Sequence, residues 1–592
     1  MPPYGVLGER SASPRLGFLS GALRSLRMGW LPQCQTAVSR ARWRRASMQH
    51  HGGRPPAPPP RAVGACGNRW MGASSLQRLS PPHRSFVTSA EAAAPDRYVP
   101  RTLLSAVRPE VVSTATVPTE PLPLAVPTVR LRPGKERLFV QEQASLVFGG
   151  ALQEPLPADG TLEVPNGALV QVRTARNRDD ELVGYGFYNA DSMFRVRLLW
   201  QNALDGPQVP ARRNEAGEWS VDVGALLQRR FAEARCIRER LGLLADADGA
   251  CRVVNGDGDR LSGLCLDRYA QYWVAQSSAL WVERHRGDVE AAIRRAFPEA
   301  QHRLLWRRNA DRLARDGLPP SVDAAEAESA ASSPTASPPR VRVREHDLWF
   351  DVDLGTGQKT GHYCDQRDNR LRLRQLVQQS GAQRVLDLCC YTAGFALNAV
   401  LGGASHVTAV DSSAVALEAA RRNADLNGIR CAEERTAQDA AAPLLLVHDD
   451  MVRYCARLFR DDNEPLYDAV VLDPPKLAPT VSSLPRASAR YRKLNRMAMQ
   501  LVRPGGLLLT CSCSAAMTQS GKFLSVVQAA ALELGRTVTL LGEFGAATDH
   551  VLSPGSLQSK YLTALLVSIS ERRPLDTMRR DRGEASRDGM QE

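Results

Sequence analysis

The chain has 592 residues, 43% of them hydrophobic, and a formal net charge of +13. That length exceeds a single hydrophobic core and predicts roughly two to four domains, while no apolar run approaches the roughly 20 residues that a membrane helix needs. The charge is unevenly placed: residues 1–90 hold thirteen arginines, no lysine or aspartate and only Glu9 as an acid, so they carry +12 and the other 502 residues about +1. A near-neutral remainder excludes bulk attraction as the basis of nucleic-acid binding, so any such site must be a local patch.

Residues 1–90, rich in Arg, Ser, Ala and Pro and almost free of acids, have the make-up of an organelle targeting peptide. Leu16–Trp30 can form an amphipathic helix with Arg24 and Arg27 on one face, and His83-Arg84-Ser85-Phe86-Val87-Thr88 resembles a mitochondrial processing site. The expected destination is the mitochondrion, with the plastid as the alternative; a basic arm gripping RNA phosphates is the competing explanation of the same charge. Residues 91–128 alternate Pro, Thr and Val without periodicity and are predicted to be a linker.

From Val129, short β-rich runs separated by Gly, Asn and Asp turns predict a small β-barrel over residues 129–205. Its Arg130, Arg132, Lys135 and Arg137 are either a phosphate-contacting edge or a solvated strand face. Leu226, Leu227, Phe231, Ala234 and Ile237 then recur at helical spacing. A hairpin through GDGD, a helix over VERHRGDVEAAIRRAF and a strand in LLWRRN come next. Together they predict a small α+β domain over 221–350, interrupted by a low-complexity loop at 317–339.

Over 351–570, short buried strands alternate with amphipathic helices, the pattern of a doubly wound α/β domain. The predicted strands are Arg384–Leu388, His406–Val410, Leu444–Val447, Ala469–Leu472, Leu507–Thr510, Thr537–Leu541 and Tyr561–Ile569, with helices such as Ala414–Asn427 and Arg486–Val502 between them. Residues 571–592 are charged and aperiodic and are predicted to be a disordered tail. The twelve cysteines include no CxxC pair. They are expected to be free thiols, and Cys511 with Cys513 lacks the second pair that a zinc site needs, so no metal is expected.

Two stretches organise this α/β domain. DAVVLDPPKL (Asp468–Leu477) is an apolar strand stopped by two prolines, so Asp473 falls at the strand's carboxyl end, where open α/β sheets bind ligands. LLLTCSCS (Leu507–Ser514) brings a second strand, and Cys511 and Cys513, to the same edge. Upstream, RVLDLCCYTAGF puts a glycine-containing turn between a strand and a helix, where the backbone can approach a ligand at Gly394. Asp411 ends the next strand, placed to accept hydrogen bonds from two ribose hydroxyls, and Asp449 or Asp450 at the third strand end can accept from an adenine amino group. With one glycine instead of G-x-G-x-x-G the loop has little room for a pyrophosphate. S-adenosylmethionine therefore fits better than a dinucleotide, which disfavours a dehydrogenase.

In that order, GTGQKTGHYCDQRDNR, VLDLCCYTAGF, VDSS, HDD, DPPK, YRKLN and LLLTCSCS resemble the bacterial ribosomal RNA large subunit methyltransferase I family. These three-domain enzymes make 5-methylcytidine in 23S rRNA with S-adenosylmethionine. The resemblance runs from about Val129 to Ile569. It implies a PUA domain for the barrel, a class I Rossmann-like methyltransferase domain, large-subunit rRNA as the partner, no membrane association and a homodimer. It implies that the KTGHYCDQRDNR segment, with Lys359, Thr360, Gln366 and Arg367, holds the methionine end of the cofactor. Asp387, Tyr391, Gly394, Asp411, Ser412, Asp449, Asp450 and Asp473 complete that set. Two departures stand out: Ala144-Ser145-Leu146 replaces the family's His-Pro-Trp, and Ala515 replaces the glycine after SCS.

Cytosine C5 is too weak a nucleophile to attack a methyl sulfonium unaided, and a thiolate adding at C6 makes it enamine-like. Cys513, matching the cysteine of the family's SCS, takes that role, with Asp473 sharing a proton with the ring edge. The base that removes the C5 proton stays open between Cys511 and a water, and Cys511 as plain strand packing is the simplest reading. Lys476, Tyr491, Arg492 and Lys493 are expected to contact RNA, or else to form a solvated face. The alternatives are methylation of guanine N7 or an exocyclic amine, though Lys476 stands where amine methyltransferases carry a stacking aromatic after the prolines, or a non-catalytic rRNA assembly factor.

Overall fold

The computed structural model describes residues 126–571 apart from 154–163, 176–179, 214–216, 319–339, 356–358, 434–441 and 461–465. The expected targeting peptide (1–90), nearly all of the linker, the low-complexity loop from 319 on and the tail from 572 on lie outside the described residues. The described residues all belong to one unit, Pro109–Glu592.

Five strands come first: Thr128–Arg130 (β1), Leu146–Phe148 (β2), Leu169–Arg173 (β3), Leu182–Tyr188 (β4) and Phe194–Gln201 (β5), paired in the order β1-β3-β4-β5-β2. The two sheet edges meet just beyond β1 and β2, where Arg132 N donates to Ala151 O at 2.7 Å and Gln153 N to Arg130 O at 2.9 Å. The sheet thereby rolls around Val129, Leu131, Val147, Val170, Val172 and Val196, leaving few edge groups unpaired.

A hairpin of Ala211–Arg213 (β6) and Trp219–Val221 (β7) leads into the helix Val223–Arg240, which starts where the Asp222 side chain accepts from Ala225 N. That helix buries Leu226, Leu227 and Phe231 in the core lying on the sheet of Ala250–Asn255 (β8), Leu264–Tyr269 (β9), Tyr272–Ser277 (β10) and Leu304–Arg308 (β11), ordered β11-β10-β9-β8. The predicted helix over VERHRGDVEAAIRRAF is two, Leu280–Arg284 and Arg286–Ala296, separated at His285. A hairpin of Arg340–Glu345 (β12) and Leu348–Asp353 (β13) comes next. Its Val341, Val343, Phe350 and Val352 belong to a core that the last sheet shares with Ala250, Tyr269 and Val274 of the preceding one. The domain boundary expected at 350/351 therefore cuts through β13, whose inward face packs with the α/β domain on its carboxyl side.

The last sheet has eight strands: Arg384–Leu388 (β14), His406–Asp411 (β15), Cys431–Ala432 (β16), Leu444–His448 (β17), Tyr467–Leu472 (β18), Val502–Ser512 (β19), Val538–Phe544 (β20) and Thr563–Ile569 (β21). Their order is β16-β17-β15-β14-β18-β19-β21-β20, with β21 antiparallel to both neighbours and β14 to β19 parallel. The apolar runs are explained by burial on both faces: Val385, Ala469, Val471 and Leu509 enter one core, while Leu386, Leu388, Val470, Leu472 and Leu508 enter the other. This is the period-two alternation of a strand between two helix layers. Truncating one such leucine to alanine costs about 2–5 kcal/mol. Chain order reverses at β14, with β15 on one side and β18 on the other, and such a switch opens a crevice at the carboxyl ends. No helix among the described residues is long and apolar enough to cross a membrane.

Candidate active site

A cleft of about 1160 Å³ opens at this switch point, between the carboxyl ends of β14, β15, β17, β18 and β19 and residues of the β8–β11 region such as Arg252, Arg308 and Arg312. Its first wall is the loop after β14. Cys389, Tyr391 and Ala393 all have left-handed backbone, with φ of 64°, 51° and 62°, at roughly 1–2 kcal/mol apiece for residues with a Cβ. The bends are held from outside: Cys389 N and Cys390 N donate to Val410 O at 2.9 and 3.1 Å, and Tyr391 N donates to Asp411 Oδ2 at 2.9 Å. Asp411 Oδ1 accepts Ser413 N at 2.9 Å. Each carboxylate oxygen thus has one backbone partner and a further lone pair toward the cleft. Asp449 pairs with Arg453 at 3.1 Å, and Asp450 caps the helix Met451–Leu458 by accepting Val452 N and Arg453 N.

The second wall joins DPPK to SCS. Ser514 Oγ accepts Leu477 N at 3.2 Å and Ala478 N at 3.0 Å, so one hydroxyl ties the two motifs together. Tyr491 Oη lies 3.0 Å from both Ser514 Oγ and Ser512 Oγ, bracketing Cys513 from behind. The Cys513 thiol donates to Pro474 O at 3.8 Å. Gln366 Nε2 donates to Asp473 Oδ2 at 3.0 Å and is itself oriented by Asn369 at 2.7 Å. Asp365 Oδ2 receives Lys359 Nζ at 2.5 Å and Tyr561 Oη at 2.7 Å.

Burial and neighbouring charge displace these groups from their ordinary protonation. Burial, then the charge of Asp365, raises Asp473 to about 6. Burial, then Asp473, raises the Cys513 thiol to about 11, with Lys359 acting against both. Burial and Asp473 lift Asp387 to about 8, so it is protonated at neutral pH. Burial opposes ionisation of Asp365 too, but Lys359 and His550 outweigh it and hold that carboxyl well below the usual range.

Of the residues anticipated from sequence, Lys359, Gln366, Tyr391, Gly394, Asp411, Ser412, Asp449, Asp450, Asp473, Lys476 and Cys513 line the cleft. The others do not. Thr360 is buried against Asp267 and Tyr269; Arg367 is in a buried ion pair with Asp549 at 2.8 Å. Asp387 is fully buried behind the loop, where Oδ2 accepts Ala396 N at 3.0 Å and Oδ1 meets no partner among the described residues. Tyr491 is fully buried and holds the SCS turn, so it cannot meet RNA. Arg492 and Lys493 are exposed outside the cleft, Arg492 bonded to Glu533 at 3.2 Å. The cation of this helix that reaches the cleft is Arg490, one helical turn before Leu494 on the same face. Gly394 lines the cleft and carries a further constraint: a Cβ there would stand 2.7 Å from Arg370 Cδ. Asp365, Tyr363 and Tyr561 were not anticipated. Asp365 lies inside a recognised motif, but Tyr561 has no local signal, being 196 residues from its partner. Cys511 is fully buried in β19.

The first wall suits S-adenosylmethionine: carboxylates at successive strand ends offer acceptors to hydroxyl and amino groups. Residues 328–534 match a family model for S-adenosylmethionine-dependent methyltransferases. The ribosomal RNA large subunit methyltransferase I of Klebsiella pneumoniae (strain 342) is 33% identical over 349 residues, covering 58% of this chain and 81% of that protein. The protein of the same name from Enterobacter sp. (strain 638) is 33% identical over 352 residues, covering 58% and 82%. A candidate S-adenosylmethionine-dependent methyltransferase from Streptococcus mutans, solved by experiment, has the same fold, with a TM-score of 0.56 at 19% identity over 74% of this chain and 99% of that one. A second solved structure, a candidate methyltransferase complexed with S-adenosylhomocysteine, gives 0.55 at 20% identity, with the same coverages. S-adenosylmethionine is accordingly the cofactor. With four-fifths of each relative covered at one-third identity, the chain belongs to the ribosomal RNA large subunit methyltransferase I family.

Proposed function

We propose that this chain methylates carbon 5 of a cytosine in large-subunit ribosomal RNA, with Cys513 as the nucleophile. The observation that carries the reading is the pairing of Cys513 and Asp473 in one cleft with Asp411 and Asp449. A thiol and a carboxylate beside a methyl-donor site are what ring-carbon methylation requires, whereas a nitrogen target needs no thiol. The names of the relatives supply the class of RNA.

When bound, S-adenosylmethionine supplies an electrophilic methyl group and leaves as the neutral thioether. Cys513 gives its proton to Asp473 and bonds through Sγ to C6, while Asp473 passes that proton to N3, so the ring gains a sulfur and a proton together. C5, now enamine-like, takes the methyl group. Loss of the C5 proton to a base then allows the Sγ–C6 bond to break, N3 returns its proton to Asp473, and the thiolate is released. Atoms balance as one C5 proton exchanged for one methyl group. Arg490 and Lys476, both exposed on the cleft rim, meet RNA phosphate.

The same proposal includes a PUA-like role in RNA binding for the rolled sheet of residues 128–201, a homodimer, and delivery to the mitochondrion, or else the plastid, by residues 1–90. Bisulfite sequencing of organellar rRNA with and without the protein tests target and chemistry together: one methylcytosine should disappear. Cys513→Ala should lower methyl transfer at least about 10³-fold with cofactor binding by calorimetry unchanged; retained transfer would exclude the covalent route.

A further inference from the structure

Lys359 belongs by motif to the segment assigned to the methionine end of the cofactor, yet it lines the same cleft as Cys513 and Asp473. Its Nζ lies 2.5 Å from Asp365 Oδ2, 4.1 Å from the ring centroid of Tyr363 and 5.8 Å from that of Tyr561. Tyr561 Oη donates to the same Asp365 oxygen at 2.7 Å, and the other oxygen, Asp365 Oδ1, is buried with no partner among the described residues. The ammonium is thus fixed by one anion and flanked by two ring faces. Its side chain remains one-third exposed and lines the cleft together with Asp473 and Cys513.

Charge balance gives this lysine a task. The titratable groups around it and around Cys513 come from separate segments: Asp365 and Tyr363 beside Lys359 itself, Asp473 after β18, Tyr491 from the helix Leu484–Leu501, Tyr561 before β21, and Cys511 on β19. All but Lys359 are neutral or become negative, so a thiolate at Cys513 would join two carboxylates in a buried space. Of the other basic groups, Arg370 is bound in a buried pair with Glu345, His550 is bonded to Asp549 at 2.7 Å, and Lys476 and Arg490 are exposed on the cleft rim.

We propose that Lys359, anchored by Asp365 and Tyr561, is the cation that makes the Cys513 thiolate available for attack on the ring. It acts through Cys513 and does not itself touch the substrate. The proposal rests on the reading of Cys513 as nucleophile. It also separates two parts of one motif: Gln366 orients Asp473, while Lys359 serves the sulfur.

The test is the pH dependence of Cys513 alkylation by iodoacetamide in the full chain, with peptide mass spectrometry resolving Cys513 from the other thiols. Lys359→Met, which keeps length and deletes charge, should move the midpoint up by about one pH unit or more. Lys359→Arg should keep it near that of the unmodified protein. Lys359→Gln, a neutral polar replacement, should move it the same way as Lys359→Met, and that sign would stand even if Lys359→Met failed to fold. An unchanged midpoint in both charge-deleting variants would overturn the proposal. Loss of cofactor affinity in Lys359→Met with an unmoved midpoint would return the residue to the cofactor. Because alkylation reads the thiol without any methyl transfer, its outcome is independent of whether Cys513→Ala abolishes activity, and the two readings can fail separately.

Discussion

In the half of the cleft proposed for the cofactor, Asp411 and Asp450 bond backbone N–H groups; in the half proposed for the target base, Asp473 and Asp365 bond side chains. Asp411 takes one N–H on each oxygen at 2.9 Å and Asp450 caps a helix, so their orientation is set by strand ends before any ligand arrives. Asp473, Cys513, Asp365 and Lys359 are instead positioned through Gln366, Tyr561 and the Ser512–Tyr491–Ser514 bracket, which arrive from distant parts of the chain. The first half is a preorganised acceptor. The second holds an acid and a thiol displaced upward to about 6 and about 11, because burial disfavours their ionised forms. Changes in one half should therefore move affinity, and changes in the other should move rate and its pH dependence.

The sharpest break in that contrast is Asp473→Asn, expected to lower kcat/KM by roughly 10²- to 10⁴-fold. Its pH profile carries the sign. Asp473 holds its proton more tightly in the fold than a free carboxyl, ordinarily near 3.8, so its contribution to stability is complete below that value and is lost as pH rises through about 6. The proposed mechanism uses the ionised form, so kcat/KM should rise through the same window while the melting temperature falls. The variant should lose this limb of the rate profile; a limb that survives would assign it to another group. In the cofactor half, Asp411→Ala should weaken S-adenosylmethionine binding by about 1.5–3 kcal/mol, on the order of 10- to 100-fold in Kd by calorimetry, with little change in kcat at saturation. An unaltered Kd would remove Asp411 from the ribose site.

Tyr491→Phe is a smaller test of the bracket behind Cys513. It should cost about 1 kcal/mol in chemical denaturation and slow methyl transfer several-fold, leaving RNA affinity unchanged. Weaker RNA binding would put the hydroxyl back on the RNA surface. Smallest of all, Arg490→Ala should reduce the salt dependence of RNA binding by about one phosphate contact, whereas Arg492→Ala, whose guanidinium is tied to Glu533, should leave the slope unchanged. Equal slopes for the two variants would mean that the helix meets RNA on a different face.

Much of the fold is local in origin and was legible in the chain. Apolar runs ended by Asp-Pro-Pro or by Asp-Ser-Ser mark β18 and β15 because period-two burial and strand breakers need no knowledge of neighbours, and they deliver Asp473 and Asp411 to one sheet edge. The domain boundary inside β13 was less legible, since its burial pattern does not say which core it faces.

What the amino-acid sequence determined by itself, then, is the order of strands and breakers, and with it a row of carboxylates and a thiol at a switch point. What only the tertiary structure decided is which members of each motif face the cleft. Tyr491 turns inward and Arg490 outward; Thr360 and Arg367 go to remote carboxylates while Lys359 and Gln366 stay; Tyr561 joins Asp365 across 196 residues. The reason is physical: a motif places residues along the chain, but the direction of each side chain is set by the partner that can satisfy it when buried, and those partners come from elements far away in sequence.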